Sequence, residues 1–158
     1  MPSNITVNIK CDRYLINYFE SLHGAQPIVL PKRDPWSLFL DYHLRPAPAN
    51  FKEPNYGNEN LRIVLPYFED KNVLTHFYLS ELKQHLFIDA LTRSFKVVFR
   101  QQIVKSVSLG LGCFVKDFIY SFMEDYNLPV DAYDMLARDY TRFRDNQTQV
   151  RLRKSKKL

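Results

Sequence analysis

Val73-Leu-Thr-His-Phe-Tyr-Leu79 runs directly into Ser80-Glu-Leu-Lys-Gln-His-Leu-Phe-Ile-Asp-Ala90, and the period of the chain changes at that junction. Before it, Thr75, Phe77 and Tyr78 carry β propensity. Leu61-Arg-Ile-Val-Leu65 lies upstream, across the polar turn Glu69-Asp-Lys-Asn72. Together they predict a β-hairpin over residues 61–79, and Pro66 places its first strand at a sheet edge. After the junction the pattern is helical to about Val107, with a break expected between Asp89 and Thr92. Phe95, Val98, Phe99, Ile103 and Val107 form the apolar stripe of its second half, with Arg93, Lys96 and Arg100 on another face. Leu109-Gly-Leu-Gly112 ends it. Strands before the junction and helices after it make the chain α+β.

Toward the N-terminus, Ile5-Thr-Val-Asn-Ile9 alternates as a half-buried strand does. Asp12 opens a helix to Leu22, with Leu15, Tyr18, Phe19 and Leu22 as its stripe and Gly24 as its stop. Ile28-Val-Leu30, between two prolines, predicts a short edge strand. Asp34-Pro35 starts a second helix, a cap residue followed by proline at the first helical position. Trp36, Phe39, Leu40 and His43 share one of its faces. Residues 46–60, rich in proline and asparagine, predict an extended loop.

Toward the C-terminus, a helix is expected from about Cys113 to Tyr126, burying Val115, Phe118, Ile119, Phe122 and Tyr126. Asn127-Leu-Pro-Val130 is the turn. Asp131 caps a last helix to about Arg144, with Tyr133, Leu136, Tyr140 and Phe143 facing inward. The predicted architecture is a small, mainly antiparallel sheet with short helices, followed by a C-terminal helical bundle. Residues 1–144 form a single domain, in which residues 1–79 contain the sheet and residues 80–144 are helical. Residues 145–158 form a basic tail.

Charge is distributed unevenly. Residues 142–158 hold seven cations (Arg142, Arg144, Arg151, Arg153, Lys154, Lys156 and Lys157) against Asp145 alone, while the whole chain is only +5. Such a neutral body with a basic end suits contact with a polyanion. Residues 114–144 resemble a helix-turn-helix, with Asn127 where that motif often has glycine. The resemblance implies that the second helix enters the major groove of DNA. Arg138, Thr141 and Arg142 stand at i, i+3 and i+4 on its outer face, with Arg144 near its end. Arginine suits that place because its fork donates two bonds to guanine. The tail cations would hold phosphates. Asp134 and Asp139, on the same helix, would repel them.

Two other binding modes remain open. A protein partner would use the hairpin edge or the 46–60 loop, with Phe51 and Tyr56 as anchors. Single-stranded RNA or DNA would stack on exposed rings, with Tyr133, Tyr140 and Phe143 beside the cations. No catalytic, cofactor or metal site is predicted. His23, His43, His76 and His85 lack ligand spacing, and Gly110-Leu-Gly112 resembles a phosphate loop without its strand or lysine. Cys11 and Cys113 are read as free thiols. With no apolar run long enough for a bilayer, the expectation is a non-enzymatic, cytoplasmic protein without a membrane partner.

Overall fold

The computed structural model describes residues 5–110 and 114–155. The chain is α+β and divides into two compact units, Met1–Arg93 and Ser94–Leu158. The first unit contains β1 (Thr6–Lys10), α1 (Arg13–His23), β2 (Ile28–Val29), α2 (Pro35–His43) and β3 (Asn60–Val64). Next comes α3 (Glu81–Ser108), within which the boundary between the units falls. The second unit adds α4 (Val115–Asp125) and α5 (Ala132–Ser155).

Local chemistry sets the helix starts in the first unit. The Asp34 carboxylate accepts the Trp36 N–H at 2.8 Å, and Pro35 follows at the first helical position. Asp12 holds the extended conformation of a cap, but its carbonyl takes the Leu15 and Ile16 N–H groups and its side chain makes no cap bond. Gly24, at φ +99°, stops α1 in a conformation closed to other residues. Leu15, Tyr18 and Phe19 are buried, but Leu22 is exposed.

The sheet is mixed, in the order β1-β3-β2. β1 pairs antiparallel with β3, from Thr6 against Val64 to Lys10 against Asn60. β2 pairs parallel with β3 at Ile28 and Val29, and it is an edge strand as its prolines predict. The 61–79 hairpin does not form. β3 is the central strand, and Pro66 lies beyond its end, where a missing N–H takes nothing from the ladder. Asn72 diverts its predicted partner. Its side chain accepts the Leu74 N–H at 3.0 Å, and its carbonyl accepts from Thr75 and His76. A local turn therefore overrides the β propensity of residues 73–79. All that remains is an isolated bridge between Arg45 and Tyr78.

α3 is also continuous across residues 89–92, where the sequence suggests a break. The Thr92 hydroxyl donates to the Ile88 carbonyl at 2.8 Å, which keeps that side chain inside the helical pattern. Phe87, on α3, gathers the aromatic core of the first unit. Its ring centre lies 4.9 Å from that of Trp36, 5.5 Å from Phe39 and 6.1 Å from Phe19. The 46–60 loop contains one 3-10 turn, Gly57–Glu59, and is tied down where Asn8 donates to the Pro54 carbonyl at 2.9 Å.

Two histidines border this ring cluster. His23 lies 4.5 Å from Phe19, and His43 lies 4.4 Å from Phe39. Desolvation lowers both pKa values below the ordinary 6.5, with Asp34 opposing at His23 and Lys83, Arg45 and Lys71 adding to the shift at His43. The unfolded chain therefore binds protons that the folded chain refuses, so stability falls as pH drops through 6.5. Thermal melts on either side of that pH are expected to show this loss, and a His23→Gln, His43→Gln double variant to lose less. Parallel declines would show that histidine burial is not the cause.

Candidate nucleic-acid interface

The predicted recognition helix is α5, and the α4–α5 turn aims it. Asn127 takes the left-handed conformation, φ +50°, at the place where glycine is common. Around it the Leu128 N–H reaches the Met123 carbonyl at 2.8 Å and the Asn127 N–H reaches Glu124 at 3.1 Å. Those two bonds are the Schellman closure of a helix end. Leu128 and Met123 are both buried, as that closure favours. Pro129 follows and cannot continue the helix.

Packing then fixes the roll of α5 about its axis. The rings of Phe99 and Phe122 are 4.8 Å apart, those of Phe99 and Phe118 5.8 Å, and those of Phe118 and Tyr140 6.0 Å. Beside them Arg100 holds the Asp139 carboxylate with two bonds, of 2.7 and 3.1 Å, and sits 5.7 Å from the centre of the Phe143 ring. Asp139 is therefore largely buried and neutralised, not turned toward a ligand. Asp134 stays exposed.

α5 does not stop near Arg144. It continues through Ser155, and every residue from Arg144 to Ser155 is exposed. The predicted site residues divide between two faces of this helix. Arg138, Thr141 and Arg142 border an open, shallow recess with Asp134 and Ala137. The Arg138 Nε donates to the Asp134 carbonyl at 3.1 Å, and the Thr141 hydroxyl to the Ala137 carbonyl at 3.0 Å. Arg142 makes no ion pair with the described acids. By helical geometry Arg138, Arg142, Gln149 and Arg153 lie within about 60° of one another. Arg144 and Arg151 instead line a groove against α3. Arg144 also touches Asp145, at 3.4 Å, in a solvated pair. Lys154 is exposed, and Lys156 and Lys157 lie outside the described residues.

The rings proposed for stacking are engaged within the fold. Tyr133 stacks on Tyr120 at 5.0 Å, Tyr140 meets Phe118, and Phe143 meets Arg100, all three half-buried. Without a hairpin there is no hairpin edge for a protein strand. Phe51 packs on Phe77 and Tyr78, at 5.9 and 5.1 Å, and Tyr56 is half-buried, so neither is an open anchor. Sequence reasoning missed Val104, whose exposure beside Val107 becomes visible only once α5 is placed. Val107 itself, expected in the buried stripe, is 65% exposed.

Other reactive groups are few. Burial, aided by the Asp12 charge, pushes the Cys11 thiol up to about 12, which makes it inert at neutral pH. Cys113 and Gly112 lie outside the described residues. Among the described residues no three His, Cys, Asp or Glu side chains come together as a metal site would need, and no helix is long and apolar enough to cross a membrane. No protein-family model, curated protein or solved structure matches the chain.

The turn that aims α5 is testable. Asn127→Val is expected to cost about 1–2 kcal/mol, because a β-branched residue resists the left-handed conformation, whereas Asn127→Gly stays within about 1 kcal/mol of the parent. Urea denaturation of the three proteins decides it. Equal stability for Val and Gly would show that the turn adopts another conformation in solution.

Proposed function

We propose that the second unit binds duplex DNA through the outer face of α5. The observation that carries the reading is the uninterrupted helix from Ala132 to Ser155, whose residues from Arg144 onward are all exposed and include Arg144, Arg151, Arg153 and Lys154 against Asp145. That stretch is polar except at Val150 and Leu152, both exposed, and such a helix has little intrinsic reason to persist in water. An α-helix fits the major groove, and its cations meet phosphates on both walls. Internal pairing of Asp139 with Arg100 supports the same reading by removing one acid from competition.

In this arrangement Arg138 and Arg142 lie at base-edge height, with Thr141 beside them, and Arg153 grips the backbone, while Lys154, about 160° round the helix from Arg138, reaches phosphate only at the flank. Arg144 and Arg151, on the other face, reach phosphate only at the flank. Lys156 and Lys157 extend the basic run in sequence. The role is that of a non-enzymatic accessory or regulatory protein, with RNA duplexes a weaker ligand because their deep, narrow major groove excludes a helix.

A salt titration of duplex binding tests this. Replacing Arg151, Arg153, Lys154, Lys156 and Lys157 with Ala is expected to weaken binding to every sequence and flatten the log K against log salt slope by up to about 4.5. Arg138→Ala or Arg142→Ala is expected to cost about 1–3 kcal/mol, mostly on preferred sequences. Affinity and slope unmoved by both sets of changes would overturn the reading.

A further inference from the structure

We propose that the groove between the C-terminal end of α3 and the middle of α5 binds an acidic amphipathic helix of a partner protein. The groove has a volume of about 400 Å3 and lies wholly within the second unit. Ile103, Val104 and Val107 from α3 and Tyr140 and Phe143 from α5 give it an apolar surface. Ile103 is buried there, while Val104 and Val107 are 52% and 65% exposed, so the apolar stripe of α3 runs on past the point where the fold covers it. An exposed apolar stripe between two helices is the receiving half of a helix-in-groove contact.

Charge selects the occupant. Arg144 and Arg151 both line the groove, and among the described residues no acidic side chain does. They stand seven residues apart on one side of α5, about 10.5 Å along the axis. A helix laid along the groove would satisfy them with carboxylates two turns apart, flanking apolar residues at i, i+3 or i+4, and i+7. The Arg144–Asp145 contact, long and solvated, offers little resistance to exchange. A second copy offering its own α5 would set cation against cation, and polynucleotide has no apolar stripe to cover the valines.

The experiment is a selection with displayed random peptides of about 16 residues, long enough for four helical turns, against the full chain. Enrichment of peptides with that apolar spacing and Asp or Glu on the flanks is expected. An enriched peptide, made separately, should lose about tenfold in affinity on a Val104→Gln, Val107→Gln variant and several-fold on Arg144→Ala, Arg151→Ala. It should keep its affinity for an Arg138→Ala, Arg142→Ala variant to within about twofold, the small loss that overlapping fields would bring, and that arm separates this site from the proposed DNA face. Both valines point to solvent, and circular dichroism confirms that the variant is folded. The proposal is overturned if no acidic amphipathic sequence is enriched or if the valine variant binds as the parent does. It is also overturned if sedimentation shows a dimer that the valine changes dissociate, since a second copy then fills the groove.

Discussion

The roll of α5 about its own axis governs everything on its surface, and three neighbouring contacts hold it. Arg100 grips Asp139, Phe118 meets Tyr140, and Arg100 lies over the ring of Phe143. They face inward within little more than one turn, so rotating the helix would break all three together. The ion pair alone is modest, because Arg100 is 40% exposed and solvent screens it. Its geometry is the stronger contribution: a guanidinium fork on a carboxylate fixes direction as well as distance. With Asp139 and Tyr140 committed to the interior, Arg138 and Arg142 must point out, and Arg144 and Arg151 must turn toward α3.

That constraint explains which features of the molecule are legible in the sequence. Signals that act within a few residues survive folding. Asp34-Pro35 starts α2, Asn127 takes the left-handed turn, and the prolines around Ile28 mark an edge. Signals that depend on what lies across a gap do not. Residues 73–79 have strand-forming side chains, but Asn72 captures their backbone first. Pro66 is a true mark of a strand's end and a false mark of a sheet's edge. Of the candidate site, the identity and exposure of the cations follow from the sequence. Their division between two faces does not, because the inward stripe of Tyr133, Leu136, Tyr140 and Phe143 does not show how far α3 runs beside it, and that reach makes the groove at Arg144 and Arg151.

The helical tail has a rival explanation in the chain itself. Arg153 and Lys154 occupy the last turn of α5, where cations meet the negative end of the helix dipole. Such placements stabilise a helix end by about 0.3–1 kcal/mol each at low salt. They support the last turn near Ser155, but not the exposed turns from Arg144 to Val150, which lie beyond that reach. They do not account for Arg138 and Arg142, which sit in the first half of α5, far from that end. The proposed DNA face thus joins those two arginines to the exposed turns that follow them, and only the last-turn cations have a structural use of their own.

Two ligands on one helix need not exclude each other. The outer stripe of Arg138, Arg142 and Arg153 and the inner pair Arg144 and Arg151 point to different sides of a rod only about 10 Å across. Their fields overlap, since the Debye length at physiological salt is about 8 Å. An acidic helix in the groove would therefore lower the positive potential at the outer face even without touching it. By linkage, DNA on the outer face would weaken the groove's hold on that helix by the same factor. Such coupling is a direct consequence of placing both sets of arginines on one helix, and more salt would weaken it.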